Sequence, residues 1–335
     1  MRLLVRAFLV VVAVLLLALG GAYLWAREQL SATGAPAYTL EVMPGMSTGE
    51  VVDVLVEQGL VRNELAFRQV LRYTGADRKI GEGLYSLSGR QDAFELARAL
   101  ERGGRPRTVR VLIPEGLRAA DIAARLGASG IAPEEDFAQL LKDASLSRHT
   151  RGKAGLEGFL FPATYVFRLR STPREVVNAL VERMEREFSD SRVAAAAKLG
   201  LDVYEWVTLA SMIQAEAGND GEMPVIAGVF LNRLDIGMPL QSDPTVAYGL
   251  GKRLPELDRS AGDFTARVPY STYTNTGLPP GPICSPGEAA LVAVLQPART
   301  GSDGRKLMYF LHGRKGEFRA NATYREHLAD LSRYR

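Results

Sequence analysis

Residues 7–26, AFLVVVAVLLLALGGAYLWA, run without a single charged side chain. At about 1.5 Å per residue, a helix of that length spans roughly 30 Å, the thickness of a bilayer core. Such a run is either a retained membrane anchor or a cleaved secretory signal. Signal peptides usually carry a shorter apolar core, about 7 to 15 residues, followed by a small-residue cleavage site. The longer run here favours a single-pass anchor. Arg2 and Arg6 precede it, and Tyr23 and Trp25 lie near its far end. The basic flank and the aromatic belt orient it with residues 1–6 in the cytoplasm and the rest of the chain outside.

The rest is long enough for two ordinary domains. With 47% hydrophobic and 24% charged residues, it has a globular rather than a disordered or polytopic composition. A net charge of +3 is too weak to suggest a nucleic-acid partner. His149, His312 and His327 are scattered, with no spacing suited to a metal site. Lone Cys284 cannot form an intramolecular disulfide, and there is no Gly-rich phosphate loop, no Gly-x-Ser-x-Gly and no Cys-His pair. The chemistry is therefore expected to run on carboxylates, without metal or cofactor, or to be binding alone.

Residues 27–37 are polar and carry Gly and Pro, as a short linker would. A strand is expected over 38–42, and Ser47 with Glu50 forms a capping-box pattern opening a helix over 51–58. A second helix follows Asn63, then a strand over 82–86 and a helix over 93–101. This βααβ order is the shape of a LysM-like glycan-binding unit. Strand, Pro-Gly turn and helix then recur over 109–126, a two-copy internal repeat. From Leu156 the texture changes: Phe159, Phe161 and Tyr165 stand beside Glu157, either as sugar-stacking rings or as core aromatics leading into a strand. A helix with interleaved charges is expected over 176–188.

The segment 201–217 is the most informative. Trp206, Leu209, Ala210, Ile213 and Ala217 recur at the spacing of one buried helical face, and Glu216 lies on that stripe. A carboxyl group there is desolvated, which raises its pKa toward the value a general acid needs near neutral pH. The same position would suit a buried glutamate paired with an arginine such as Arg233, and spacing leaves both readings open. Gly218-Asn219-Asp220-Gly221 should end the helix at once. A further helix is expected over 224–234. Asp243 reads as a helix cap ahead of Pro244, with a short helix to Gly249. Residues 270–283, rich in hydroxyls and amides and stiffened by prolines, form a polar loop suited to sugar hydroxyls and acetamido groups, or an ordinary Ω-loop. A hairpin over 307–318 and a helix over 324–331 close the chain.

Together the segments LASMIQAE (209–216), VFLNRL (229–234), MPLQSDPTV (238–246), YSTY (270–273), GLPPGPI (277–283) and TYREH (323–327) closely resemble the YceG-like endolytic murein transglycosylases (MltG type). IPEG (113–116), LEGFLFP (156–162) and the anchor extend the resemblance over nearly the whole chain. It implies an α+β chain with a cytoplasmic N-terminus (1–6), transmembrane helix (7–26), linker (27–37), LysM-like module (38–105), second βα module and connection (106–155), and mixed α/β catalytic domain (156–335). It also implies an enzyme of the bacterial inner membrane, with a periplasmic or extracytoplasmic catalytic domain, that cuts nascent glycan strands internally and ends their elongation. Peptidoglycan is the implied partner, with synthases or division proteins as neighbours. Gln214 stands where many relatives carry a second Glu, and Ser271 replaces the usual Asn of the Tyr-Asn-Thr-Tyr loop.

The resemblance assigns the catalytic carboxylate to Glu216. Protonated Glu216 would donate to the oxygen between MurNAc and GlcNAc, then take the proton of the MurNAc C6 hydroxyl as it closes a 1,6-anhydro ring. Gln241, Tyr273, Asn275 and Thr276 are candidates to orient the substrate, supported by Asp243 and Glu157. A hydrolytic muramidase would need a second carboxylate from among Glu157, Asp220 and Asp243. A membrane-anchored binding scaffold would need none.

Overall fold

A computed structural model describes residues 2–150 and 152–335. Met1, expected in the cytoplasm, lies outside the described residues, as does the side chain of Arg2. The chain divides into two compact units, Met1–Thr108 and Val109–Arg335.

The first unit opens with α1 (Arg2–Leu30), in which Phe8–Leu30 is long and apolar enough to cross a membrane. The helix continues through residues 27–30, so only residues 31–36 separate it from β1 (Ala37–Val42). Next come α2 (Thr48–Glu57), α3 (Glu64–Thr74), β2 (Gly83–Ser88) and α4 (Ala93–Glu101). The expected capping box opens α2: Ser47 Oγ accepts from the Glu50 N–H, and Glu50 Oε2 accepts from the Ser47 N–H at 2.7 Å. Asn63 Oδ1 caps α3 by accepting from the Ala66 N–H at 3.0 Å. The two strands pair antiparallel, from Ala37 opposite Ser88 to Val42 opposite Gly83. Leu40, Val51, Leu55, Phe67, Leu71 and Leu96 fill the core between sheet and helices. Fully burying a side chain of this size contributes about 1.5–3 kcal/mol, enough to set the inward face of each element.

The second unit begins with β3 (Thr108–Ile113), α5 (Ala119–Gly127), α6 (Glu134–Leu140), β4 (Ala163–Arg168) and α7 (Pro173–Glu185). Strand, turn and helix do recur here, but β3 pairs with β4, fifty residues further on, instead of with a strand of its own module. Ile113, Ile122, Phe137, Leu160, Val177 and Leu180 make one core out of these elements. Phe159 and Phe161 are buried, so they are core aromatics leading into β4 and not exposed stacking rings.

Then follow α8 (Asp190–Lys198), α9 (Val203–Glu216), α10 (Met223–Asp235), α11 (Asp243–Gly249) and α12 (Glu288–Leu295). The antiparallel strands β5 (Tyr309–His312) and β6 (Phe318–Asn321) and the helix α13 (Tyr324–Tyr334) end the chain. Helices α9, α10 and α12 pack on one another around Trp206, Leu209, Ile213, Ile226, Phe230 and Leu291. The Trp206 indole N–H donates to the Leu291 carbonyl at 2.9 Å, which locks α9 to α12. The architecture is mixed α+β, with its helices around three small two-stranded sheets.

Candidate active site

The site is built around the C-terminal end of α9. Asp202 caps the helix in a reciprocal box with Glu205, and Trp206, Leu209, Ala210 and Ile213 bury its apolar stripe completely. The helix ends at Glu216, because Ala217 turns to an extended ψ of 134°. Residues 218–221 are then clamped by Glu222. Its Oε2 accepts from the Gly218 N–H at 2.8 Å and its Oε1 from Asn219 Nδ2 at 2.8 Å, while His312 Nε2 lies 2.9 Å from Oε2. Burial alone would raise the pKa of Glu222, but these bonds outweigh it and hold the carboxyl below its ordinary value. No local pattern in the sequence marks Glu222 for this part, since its partner His312 is 90 residues away.

Glu216 is partly buried at the helix end and accepts a 2.6 Å hydrogen bond from Ser242 Oγ. Burial pushes its pKa up to about 7; the Ser242 bond opposes that rise, the nearby Asp243 charge adds to it, and Arg233 and Arg335 pull it down. The expected alternative of a Glu216–Arg233 ion pair is not formed. Among the described residues no ion pair within 4.0 Å involves either group. The guanidinium of Arg233 is instead held by backbone carbonyls, Nε donating to Met308 at 2.7 Å and Nη1 to Leu240 at 2.8 Å.

Ser242 is fully buried, and both its backbone groups are fixed. Its N–H donates to Thr272 Oγ1 at 2.9 Å, its carbonyl accepts from Thr245 Oγ1 at 2.7 Å, and the two threonine hydroxyls lie 2.9 Å apart. Gln241, one residue earlier, has φ of 53°, the one non-glycine residue at positive φ among the described residues. Its N–H donates to the Thr272 carbonyl, and its side chain is exposed. Ser242, not Asp243, is the N-cap residue of α11. Asp243 follows as the first helical residue and accepts from the Tyr273 hydroxyl at 2.6 Å. Burial and that carboxylate both push the Tyr273 phenol up, so it stays a donor.

Glu216, Ser242, Asp243 and Tyr273 are thereby linked, with Gln241 at the edge. Asn275 turns inward on its own loop, donating from Nδ2 to the carbonyls of Val268 and Ser271. Thr276 is exposed, and Ser271 is buried with its hydroxyl unpartnered. The proline-rich segment is tied to α9: the Ile283 N–H donates to Ser211 Oγ at 3.0 Å, and the Gly287 N–H to Gln214 Oε1 at 2.9 Å. Gln214 is thus a loop anchor. Glu157 bonds elsewhere, Oε1 accepting from the Ala119 N–H at the start of α5 and Oε2 from the Tyr248 hydroxyl. Burial raises it to about 7 against those bonds and the charge of Arg118. Asp220 is exposed.

The arrangement offers one carboxyl group that can exchange a proton near neutrality, beside hydroxyl and amide groups and without a counter-ion. The sequence profile of the YceG-like family matches residues 40–333. The chain is 29% identical to the endolytic murein transglycosylase of Bacillus subtilis, covering 95% of this chain and 91% of the relative. It is 28% identical to an endolytic murein transglycosylase of Streptococcus pneumoniae, covering 92% of this chain but 61% of that longer protein. A crystal structure of a yceG-like protein from Listeria monocytogenes, 28% identical, matches 88% of this chain and 99% of its own with a TM-score of 0.57.

Proposed function

The chain belongs to the YceG-like family, and from that premise we propose that it is a lyase-type peptidoglycan enzyme, an endolytic lytic transglycosylase in which Glu216 is both acid and base. The observation that carries this reading is the Glu216 carboxyl itself, raised to about 7, oriented by Ser242 and without an ion-pair partner. The names of its relatives give the substrate class, the glycan strands of murein.

In the proposed reaction, protonated Glu216 gives its proton to the glycosidic oxygen as the bond to MurNAc C1 breaks, releasing the GlcNAc hydroxyl. The MurNAc acetamido group stabilises the positive charge developing at C1. Glu216, now a carboxylate, removes the proton of the C6 hydroxyl as that oxygen bonds to C1. The product is a 1,6-anhydro-MurNAc end, no water is consumed, and Glu216 is again protonated. Gln241, Thr276 and the Asn275 Oδ1 acceptor are assigned to acetamido and hydroxyl groups of the sugar, and Asp243 holds Tyr273 in position. Glu157 supports the start of α5. With α1 as an inner-membrane anchor and the N-terminus in the cytoplasm, the cleft works on strands emerging at the outer face and ends their elongation.

The test is digestion of glycan strands by the full-length chain and by Glu216→Gln, followed by weighing of the new ends. Anhydro ends, one water lighter than reducing ends, are expected from the wild type alone. Reducing ends would replace this reading with a hydrolytic muramidase. Binding without cleavage by either protein would replace it with a glycan-binding scaffold.

A further inference from the structure

The connection between α1 and β1 is not a loose tether. The Gly34 N–H donates to the Gly89 carbonyl at 2.7 Å, and the Gly89 N–H returns to the Ala35 carbonyl at 3.1 Å. A Cβ on Gly89 would lie 2.1 Å from the Ala35 nitrogen, so this approach requires glycine. Arg62 Nη2 donates to the Ala32 carbonyl at 3.2 Å, and Leu30 and Ala35 pack against the module's core. Helix α1 also packs on α3. The apolar helix and the first module are one body, so the face of the module beside the end of α1 stands wherever that helix leaves the bilayer.

That face is apolar and exposed. Leu65 and Tyr73, two turns apart on α3, are 74% and 85% exposed. Trp25, Leu30, Val70, Tyr73 and Phe94 line a shallow groove of about 250 Å³ between α1 and α3. Tyr23 and Trp25 on α1 are 67% and 57% exposed at the same end. Tryptophan and tyrosine settle at the headgroup layer, where an amphipathic ring has both its solvents. Residues sharing a groove with Trp25 share its depth. Arg62 and Arg72, both exposed beside this face, supply positive charge to lipid phosphates.

We propose that the outer face of α3, through Leu65, Tyr73, Arg62 and Arg72, seats on the headgroup layer of the membrane that α1 spans. The proposal rests on the anchor reading of α1. It adds a second, interfacial contact that fixes the orientation of the first module on the bilayer.

The probe is an environment-sensitive fluorophore on Tyr73→Cys in the full-length chain, which is selective because Cys284, the sole native cysteine, is buried. The control is Ser86→Cys, on the outer face of β2, where the neighbouring Tyr85 and Leu87 point into the core. The protein is reconstituted in vesicles of phosphatidylethanolamine and phosphatidylglycerol, with and without a lipid carrying a nitroxide near its headgroup. A blue shift and nitroxide quenching at position 73, with neither at 86, is expected. A chain that resists alkaline carbonate extraction yet shows no quenching at 73 overturns the seating while leaving the anchor intact. A shift at 73 that vanishes on dilution of the protein in lipid, without quenching, overturns it in favour of a second copy on this face. A chain extracted by carbonate overturns the anchor and the seating together.

Discussion

Ser242 Oγ donates a 2.6 Å hydrogen bond to Glu216 Oε1, joining the last residue of α9 to the cap of α11. Thr272 and Thr245 grip Ser242 by its N–H and its carbonyl, so the hydroxyl has a fixed direction. Burial favours the protonated form of Glu216, and this bond favours the ionised one. The two together leave a group that both holds and releases a proton near neutral pH.

Ser242→Ala removes the opposing influence. A hydrogen bond to a charged acceptor contributes about 1.5–3 kcal/mol against about 1 for a neutral one, so the difference is worth roughly one pH unit. An acid must be protonated to act. The alkaline limb of kcat/KM is therefore expected to move up by about one unit, with a fall in maximal rate of about tenfold from lost orientation. The check is a pH–rate profile of anhydro-end formation, and a limb that stays in place would exclude Ser242 from tuning Glu216.

Glu216→Gln should lose activity by about 10² to 10⁴ yet gain stability at high pH. The folded value near 7 lies above the ordinary 4.5, so between those values the folded state binds more protons than the unfolded one. Wild-type stability then falls as pH rises through that window, and glutamine removes this slope. The variant is expected to melt a few degrees higher than wild type at pH 8 and at the same temperature near pH 4.5, about 2–4 °C per kcal/mol for a chain this size. Parallel melting curves across that range would show that Glu216 ionises freely in the fold.

The contrast between Glu216 and Ser242 shows how far local pattern reaches. The position of Glu216 at the end of an apolar stripe, ahead of Gly218 and Gly221, is written in helical spacing and breaker chemistry, and α9 ends there. The bond from Ser242 crosses 26 residues and depends on a left-handed Gln241, which no periodicity announces. The helices α6, α8 and α12 escaped sequence reading for a related reason. In α12, Glu-Ala-Ala-Leu-Val-Ala-Val-Leu is apolar all round because it is packed on several sides, so it has no face to read. Phe159 and Phe161 stand beside a carboxylate as sugar-stacking rings would, and only tertiary packing reveals them as core.

Glu157 separates a supporting carboxylate from a catalytic one. Its two oxygens take the Ala119 N–H and the Tyr248 hydroxyl, which glutamine can partly reproduce and alanine cannot. Glu157→Ala is expected to cost about 2–4 kcal/mol by leaving both donors without a partner. Glu157→Gln should keep most of the activity and the anhydro product. Chemical denaturation with product analysis distinguishes the cases, and a Glu157→Gln variant as inactive as Glu216→Gln would bring a second carboxylate into the reaction.

Gln241 carries the last prediction, because its conformation and its side chain make separable claims. At φ of 53° a residue with a Cβ sits in the left-handed region at a cost of about 1–2 kcal/mol, and such strain gathers at functional sites. Gln241→Gly relieves it but gives the unfolded chain freedom worth about 0.5–1 kcal/mol, so stability should stay level or rise slightly. If the amide orients the sugar, activity falls about tenfold, mainly through KM if ground state and transition state are held alike. Gln241→Asn, which tolerates the same backbone and keeps a shorter amide, should recover part of that loss. Melting temperatures and steady-state rates of the two variants decide the matter. Full activity in Gln241→Gly would mean that the backbone turn, which presents Ser242 to Glu216, is the whole contribution of position 241.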